Sequence, residues 1–322
     1  MSELSLSPDI ATDTLSRCKK RSVLFLSATR NLESLMQYLS PTTLEDAVEL
    51  LANQTGECRV LAGGTDLLVR MRSGVSEPDS VLDIKRILEL RRITHEDGGW
   101  RIGAAVSAAE MSENEELVAD WPGVVEAVNL IGSTQIQGRA TMAGNLCNAS
   151  PAADSVPAMV AADAVARIAG PDGLRDLPVA DVPEGPGKTS LAPGEFITSI
   201  LLPARPAGSG DAYLRFIPRT EMDIAVVGCA VSLTLDAGGT CTAAKVALGA
   251  VGPKVITVEY GADILIGTSL DDATLDRLGQ ACSTAATPIG DKRGTAEYRK
   301  HLAGVLARRA AIIAKNRAGD AA

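Results

Sequence analysis

Hydrophobic residues recur at helical spacing in the segment that follows residue 40. Leu44, Val48 and Leu51 are spaced i, i+4 and i+7, and Thr43 with Asp46 makes a plausible capping pair. This pattern predicts an amphipathic helix close to the start of the folded part of the chain.

A short apolar run before a glycine turn predicts a strand followed by a helix. The strand covers Arg59–Ala62, the turn is Gly63-Gly64-Thr65, and Asp66–Arg72 forms a short helix. A second strand at Val81–Ile84 completes a βαβ-like unit, which predicts one small lobe at about 36–86.

Strands and helices alternate through the rest of the chain. The predicted elements are a hairpin at Arg92–His95 and Trp100–Gly103, a helical stretch at 108–131 interrupted near Pro122, a buried helix at Asp154–Ala162, strands at Arg167–Ala169 and Ile197–Leu202, a linker at Pro203–Gly210, strands at Ala225–Leu235 and Cys241–Leu248, and a last helix at Tyr298–Ala314. We therefore predict a domain at 36–207, with lobes at about 36–86 and 87–207, and an α+β domain at 208–322. Residues 1–35 are Ser/Thr-rich without a sustained period, which predicts a flexible extension or a misassigned start.

Composition excludes several classes of function. The chain has 322 residues, of which 46% are hydrophobic and 22% charged, as expected of a globular protein with two or three domains. Its net charge of −9 argues against nucleic acid and against anionic membrane surfaces. No apolar run approaches the roughly 20 residues that a spanning helix needs.

The cysteines and histidines do not form a metal-binding pattern. The six cysteines are scattered, at Cys18, Cys58, Cys147, Cys229, Cys241 and Cys282, without a CxxC pair or ferredoxin-type spacing. With only two histidines, a zinc site is also not expected. Scattered thiols are typical of a reducing compartment, which predicts a cytoplasmic protein with neither a metal site nor an iron–sulfur cluster of its own.

The turn at Gly63-Gly64-Thr65-Asp66 is a candidate phosphate site. Backbone N–H groups at a tight turn bind phosphate without a lysine, and glycines allow the ligand to approach closely. Neither a P-loop nor a Rossmann fingerprint is present here. The alternative is an ordinary Gly-Gly turn capped by Thr65.

A second polar run, Thr141–Asp154, is also typical of a binding segment. Thr141 offers a hydroxyl, Gly144 a close approach, and Asn145 both donors and acceptors, which predicts a second turn. Asp154, nine residues after Asn145, can accept hydrogen bonds from ligand hydroxyls. The alternative for Asp154 is a helix N-cap beside Pro151.

The two runs Leu61–Leu67 and Thr141–Asp154, in this order, resemble the FAD-binding subunit of the molybdenum hydroxylases, the xanthine dehydrogenase and carbon monoxide dehydrogenase family. The resemblance runs from about Tyr38 to about Arg309, and departs where relatives usually have Gly-Gly and this chain has Ala143-Gly144. It implies an α+β protein with the two-lobed FAD-binding fold of the vanillyl-alcohol-oxidase (PCMH) type, followed by a small α+β C-terminal domain.

The resemblance also implies non-covalent FAD and a set of residues that bind it. These residues are Val60, Leu61, Ala62, Gly63, Gly64, Thr65, Asp66 and Leu67 in the first run, Thr141, Met142, Ala143, Gly144, Asn145 and Asp154 in the second, and Ile131, Ile197 and Arg215 beside the ring. Ile131 and Ile197 would flank the flavin, with ordinary core residues as the alternative. Arg215 stands where relatives often carry Lys near the flavin, with a surface arginine as the alternative. Cys147 is expected to be a small buried side chain rather than an attachment point, and no side chain need act as a catalytic acid or base.

The function that the resemblance implies is electron transfer. In the family, a large subunit holds molybdopterin, a small subunit holds two [2Fe–2S] clusters, and the medium subunit passes electrons from the clusters through FAD to an acceptor. We expect those two partner subunits, arranged as a dimer of heterotrimers. The alternatives are a self-contained FAD-dependent oxidoreductase of the same superfamily, such as a NADPH-dependent reductase, and a non-catalytic flavin-binding assembly factor. The sequence does not reveal the substrate or the electron acceptor.

Overall fold

Three larger β-sheets, a two-stranded ribbon and the helices between them make up residues 36–320, the part of the chain that the computed structural model describes. The strands are β1 (Gln37–Leu39), β2 (Cys58–Leu61), β3 (Ser80–Asp83), β4 (Ile93–Glu96), β5 (Gly99–Gly103), β6 (Val165–Gly170), β7 (Gly173–Pro178), β8 (Pro183–Gly185), β9 (Lys188–Thr189), β10 (Phe196–Leu202), β11 (Ser209–Phe216), β12 (Val227–Leu235), β13 (Cys241–Gly249) and β14 (Ile256–Thr257). The helices are α1 (Leu44–Ala52), α2 (Leu67–Arg72), α3 (Ala108–Ser112), α4 (Glu115–Asp120), α5 (Pro122–Asn129), α6 (Thr134–Gln137), α7 (Met142–Cys147), α8 (Ser155–Ala161), α9 (Glu259–Leu265), α10 (Asp272–Ala285) and α11 (Ala296–Asp320). The extension predicted at 1–35 lies outside the described residues.

The first sheet is parallel and has the strand order β1-β3-β2. Parallel neighbours need a crossover, and α1 and α2 connect the strands in sequence. Thr43 caps α1 as predicted, with its hydroxyl accepting from the Asp46 N–H at 3.1 Å. Sequence analysis missed β1, a three-residue strand whose Gln37 and Tyr38 are exposed and therefore show no apolar run. This sheet falls within the predicted lobe 36–86.

The second sheet is antiparallel, with the strand order β4-β5-β10-β6-β7. The predicted hairpin is β4–β5, and β10 joins it to β6 across the middle of the sheet. The single interrupted helix predicted at 108–131 is instead three helices, because Asn114 caps a new helix after the first and Trp121 ends the second before Pro122. Strand β7 was missed because it is mostly exposed and carries charged residues.

The predicted turn at Thr141–Asn145 is wrong, because these residues begin helix α7. The Thr141 hydroxyl accepts from the Gly144 N–H at 2.9 Å, and the Asn145 N–H donates to the Thr141 carbonyl at 3.0 Å. Gly and Asn favour turns, but here the threonine acts as an N-cap and the following residues pack into the core.

The C-terminal part contains an antiparallel sheet with the order β11-β12-β13-β14. Helix α11 packs against β11 and β12 through a buried face of small residues, among them Ala303, Ala307, Ala310, Ala314 and Ala318. This helix is longer than predicted, and α9 and α10 were not predicted at all. The low aromatic content of the chain is consistent with this close packing of alanines against a sheet.

Two hydrophobic cores fill the structure. The larger one joins the first two sheets and helices α3, α5, α7 and α8, and it also includes Tyr213, Ala230 and Ala247 from the C-terminal sheet. The smaller core lies between the C-terminal sheet and α9, α10 and α11. Strands β11, β12 and β13 therefore contact both cores, and α8 packs directly against them.

Candidate functional site

A cleft of about 410 Å³ lies between the first two sheets, with walls from both predicted lobes. Most of the site residues predicted from sequence line it: Val60, Ala62, Gly63, Gly64, Thr65, Asp66, Leu67, Ile131, Thr141, Ala143, Gly144, Asn145 and Ile197. Leu61 and Met142 are buried behind the wall, and Asp154 and Arg215 lie apart from it. The structure thus brings the two motifs together from positions about 80 residues apart.

Gly63 lies against the backbone that immediately precedes the second motif. A Cβ atom at this position would lie 1.8 Å from the Arg139 carbonyl oxygen, so only glycine allows this contact. Gly64 has φ +81°, in the left-handed region that favours glycine. Both glycines are therefore required by the local geometry, whatever the cleft binds.

The first turn leaves backbone donors free on the cleft wall. The N–H groups of Gly63, Gly64, Thr65 and Asp66 make no hydrogen bond to another group within residues 36–320. Unsatisfied backbone donors at a turn attract an anion or water, because an unpaired N–H group is costly when it is removed from solvent. The turn can accordingly bind a phosphate without a lysine.

Asn145 is oriented by a neighbouring helix. Its Oδ1 atom accepts from the Ser155 hydroxyl at 2.7 Å and from the Ser155 N–H at 3.3 Å, at the start of α8. These bonds fix the amide so that its Nδ2 group, a double donor, is left for the cleft. Thr141, in contrast, already uses its hydroxyl oxygen to cap α7.

Ile131 and Ile197 provide apolar parts of the wall. Ile197, on β10, is 3% exposed, whereas Ile131 is half-buried after the end of α5. Their predicted positions on the two faces of a flavin ring remain a prediction.

Asp154 and Arg215 are bonded to each other at the boundary with the C-terminal sheet. Arg215 Nη1 donates to Asp154 Oδ2 at 2.6 Å, and Tyr213 Oη donates to Asp154 Oδ1 at 2.9 Å. Burial raises the pKa of Asp154 to about 6, against the opposing effects of Arg215 and of the Tyr213 hydrogen bond. Burial, with the carboxylate beside it, raises the pKa of Tyr213 well above its usual value, so the hydroxyl remains a donor. Asp154 precedes α8 without a side-chain capping bond, so the alternative of a side-chain N-cap is wrong.

Sequence reasoning missed several residues of the cleft. Arg70 and Asn148 lie in the wall, with Arg70 Nη1 3.4 Å from Asn148 Oδ1. Helical spacing could have indicated Arg70, which follows Asp66 by four residues and so lies on the same face of α2. The segment Leu191–Phe196 also lines the cleft, and its only signal was proximity in sequence to Ile197.

Cys147 lies in the wall of the cleft as an exposed residue, but burial of its thiol raises the pKa of that group to about 12. Cys58 also lines the cleft and is half-buried, whereas Cys229, Cys241 and Cys282 are buried elsewhere. Cys58 is therefore the better probe of whether the cleft is occupied.

Within residues 36–320, no group of three or more His, Cys, Asp or Glu side chains is placed to hold a metal ion. None of the helices in this described part is long and apolar enough to cross a membrane.

Two protein-family profiles match the chain. One is described as the FAD binding domain in molybdopterin dehydrogenase and matches residues 33–205. The other is described as the CO dehydrogenase flavoprotein C-terminal domain and matches residues 212–314. The two matches correspond to the two parts of the chain on either side of the linker.

Individual proteins are similar over nearly their whole length. The carbon monoxide dehydrogenase medium chain of Afipia carboxidovorans is 34% identical over 281 residues, covering 87% of this chain and 97% of the relative. A xanthine dehydrogenase FAD-binding subunit from Escherichia coli is 32% identical over 267 residues, covering 82% and 91%. A solved structure of carbon monoxide dehydrogenase from Hydrogenophaga pseudoflava superimposes with a TM-score of 0.83 at 31% identity, covering 88% of this chain and 98% of that one.

Proposed function

The chain belongs to the family of FAD-binding medium subunits of molybdenum hydroxylases, and from this membership we propose that it transfers electrons through FAD within such a complex. It is accordingly a subunit of an oxidoreductase. We propose that the electrons come from [2Fe–2S] clusters of a partner subunit and leave to an external acceptor.

The observation that carries this proposal is the turn at Gly63-Gly64. Its N–H groups are unpaired on the wall of the cleft, and a side chain at Gly63 would clash with the Arg139 carbonyl just before the second motif. The pyrophosphate of FAD is an anion that such a turn can bind. Asn145 and the apolar side chains of Ile131 and Ile197 line the same cleft, and these groups suit a ribityl chain and a flat ring.

We propose that residues Val60–Leu67 and Thr141–Asn145 hold the pyrophosphate and ribityl region, through side chains or through the backbone behind them. Ile131 and Ile197 would contact the ring. Asp154 and Arg215 would act from the boundary with the C-terminal sheet, where the structure pairs them. When bound, FAD supplies the redox chemistry, because it can exchange single electrons with a cluster and pairs of electrons with an acceptor. The chain itself positions the cofactor and shields it from water, and we assign no catalytic side chain.

The partners follow from the same proposal. The chain would assemble with a large molybdopterin-binding subunit and a small [2Fe–2S] subunit, as a dimer of heterotrimers. Relatives named as medium chains support a complex with other subunits. The described cysteines are all free thiols, which supports a cytoplasmic complex.

Thiol protection tests the cofactor site. The full chain, stripped of flavin, would be treated with a maleimide in the presence and absence of FAD, and labelled cysteines mapped by mass spectrometry. We expect FAD to protect Cys58, which lines the cleft, and to leave the low labelling of buried Cys229 unchanged. Acid precipitation should release the flavin into the supernatant, and colour retained by the pellet would show a covalent bond.

Electron transfer is tested with the flavin-loaded chain. A reduced [2Fe–2S] protein should bleach the flavin absorbance, and an artificial acceptor should restore it. Equal labelling of Cys58 with and without FAD would contradict the cofactor site. Oxidation of an aldehyde or a heterocycle by the purified chain alone would instead support the self-contained oxidoreductase.

A further inference from the structure

Two of the four charged side chains that line the cleft are neutralised by neighbours. Glu195 accepts two hydrogen bonds from Arg175, at 2.6 and 2.7 Å. Arg59 donates to Glu57 at 2.6 Å. Neither Glu195 nor Arg59 therefore needs a ligand to balance its charge.

Arg70 is different from the other charged groups of the cleft. Its side chain is exposed, and its guanidinium makes one long hydrogen bond, 3.4 Å from Nη1 to the neutral Asn148 Oδ1. Within residues 36–320, no carboxylate lies within salt-bridge distance of it. Asp66, one helical turn earlier, interacts with it only electrostatically. A five-donor guanidinium thus faces the cleft with most of its hydrogen-bonding capacity unused.

The position of Arg70 is set by both motifs. It lies on α2, which follows the turn at Gly63-Gly64, and Asn148 is the C-cap of α7, the helix that begins within the second motif. The two side chains meet although they are 78 positions apart in the chain. An anion at the free N–H groups of the turn would share the cleft with this guanidinium.

We propose that Arg70 is the cationic ligand of the FAD pyrophosphate, held in place by Asn148, and that it makes the cleft selective for phosphorylated flavins. The guanidinium would form charge-assisted bonds to phosphate with the donors that its long bond to Asn148 leaves free, and such bonds are shorter and stronger than neutral ones. This inference rests on the proposed function, because it requires FAD in this cleft. It goes beyond that function by naming a residue outside both motifs as the source of selectivity.

The test compares flavins that differ in phosphate. Dissociation constants of FAD and of riboflavin would be measured by flavin fluorescence for the full chain and for Arg70→Gln. We expect Arg70→Gln to weaken FAD binding by about 10- to 100-fold, the range for one lost hydrogen bond to a charged group. Riboflavin, which has no phosphate, should bind both proteins equally. Added salt should weaken FAD binding to the wild-type chain more than to the variant.

Matched variants separate charge from packing. Arg72→Gln removes an exposed arginine from the same helix that does not line the cleft, and FAD affinity should not change. Arg70→Lys keeps the charge and should retain part of the affinity. Asn148→Ala should weaken FAD binding by about 2- to 10-fold, as expected for a lost neutral hydrogen bond that only positions the arginine.

The outcomes distinguish this inference from the proposed function. Equal FAD affinity in the wild-type chain and in Arg70→Gln would overturn the role of Arg70 and leave the proposed function intact. An equal loss for FAD and riboflavin would also overturn it, because Arg70 would then act by shaping the cleft. A wild-type chain that binds neither flavin would refute the proposed function and this inference with it.

Discussion

Replacing Arg215 with methionine should destabilise the chain more at high pH than at low pH, because it leaves the Asp154 carboxylate buried without a counter-charge. Arg215 and Asp154 are joined by a 2.6 Å hydrogen bond, and their side chains are 6% and 9% exposed. In the variant, the Tyr213 hydroxyl would be the remaining partner of the carboxylate among the described residues.

The direction follows from the linkage between proton binding and folding. The pKa of Asp154 is raised to about 6 in the folded chain even with Arg215 present, and an unfolded aspartate has a pKa of about 3.9. The folded state therefore binds this proton more tightly, so the contribution of Asp154 to the free energy of unfolding is largest below about pH 4 and is lost as the pH rises through about 6. Loss of Arg215 raises the folded pKa further and extends this fall to higher pH.

The magnitude can be worked from the same linkage. Each added pKa unit costs about 1.4 kcal/mol of unfolding free energy once the pH exceeds the folded value. Removing one partner of a buried ion pair costs about 3 to 5 kcal/mol, so Arg215→Met should show a loss of this size at about pH 8, where Asp154 is ionised in the wild-type chain. Near pH 5, Asp154 is mostly protonated in both the wild-type chain and Arg215→Met. The lost hydrogen bond and packing then leave a difference of about 1 to 2 kcal/mol in the free energy of unfolding.

Urea unfolding of both proteins at several values between about pH 5 and about pH 8 measures this difference. The matched control is Lys245→Met, because Lys245 pairs with Asp163 between α8 and the C-terminal sheet but the two side chains are 34% and 67% exposed. This control should cost at most about 1 kcal/mol with little pH dependence. The double variant Asp154→Asn with Arg215→Met should lose the pH dependence. A difference between Arg215→Met and wild type that stays constant across the pH range would refute the reasoning.

Two further predictions concern the first motif and the N-terminal segment. Gly63→Ala should lower the melting temperature and abolish FAD retention, because its Cβ would lie 1.8 Å from a backbone oxygen. The control Gly138→Ala should do neither, because its Cβ would have nothing within 4 Å. Full flavin content in Gly63→Ala would count against the site. A chain starting at Met36 should bind FAD with unchanged affinity, because the family match begins only at residue 33; a large loss of affinity or stability would show that the earlier segment has a role.

Local signals predicted the elements that depend on local contacts. Thr43 with the periodic Leu44 and Val48 correctly indicated α1, because a cap and an apolar stripe are both properties of neighbouring residues. Helix α10 carried similar signals, with Asp271 as N-cap and Leu275 and Leu278 buried, and it could have been predicted by the same reasoning. Strand β7 could not, because an exposed edge strand lacks an apolar pattern.

The candidate site was predictable only as two separate motifs. The residue types at Gly63 and Gly144 indicated close approach, but the sequence contains no signal that Gly63 contacts the Arg139 carbonyl. The same limit applies to Arg70, whose meeting with Asn148 depends on how α2 and α7 pack. Contacts between distant residues are set by the packing of whole elements, and local pattern alone does not determine them.

Arg215 cannot leave Asp154 to bind a flavin anion without a net loss of free energy. Its side chain is buried and bonded to Asp154, whereas Arg70 is exposed to the cleft with one long bond to a neutral oxygen. Turning Arg215 toward a flavin would leave Asp154 unpaired, at about 3 to 5 kcal/mol, and a new charge-assisted hydrogen bond gives only about 1.5 to 3 kcal/mol. Arg70 loses almost nothing by the same change. Arg215 can therefore act on the flavin only from a position that keeps its bond to Asp154. Arg70 can bind the cofactor phosphate without breaking an ion pair.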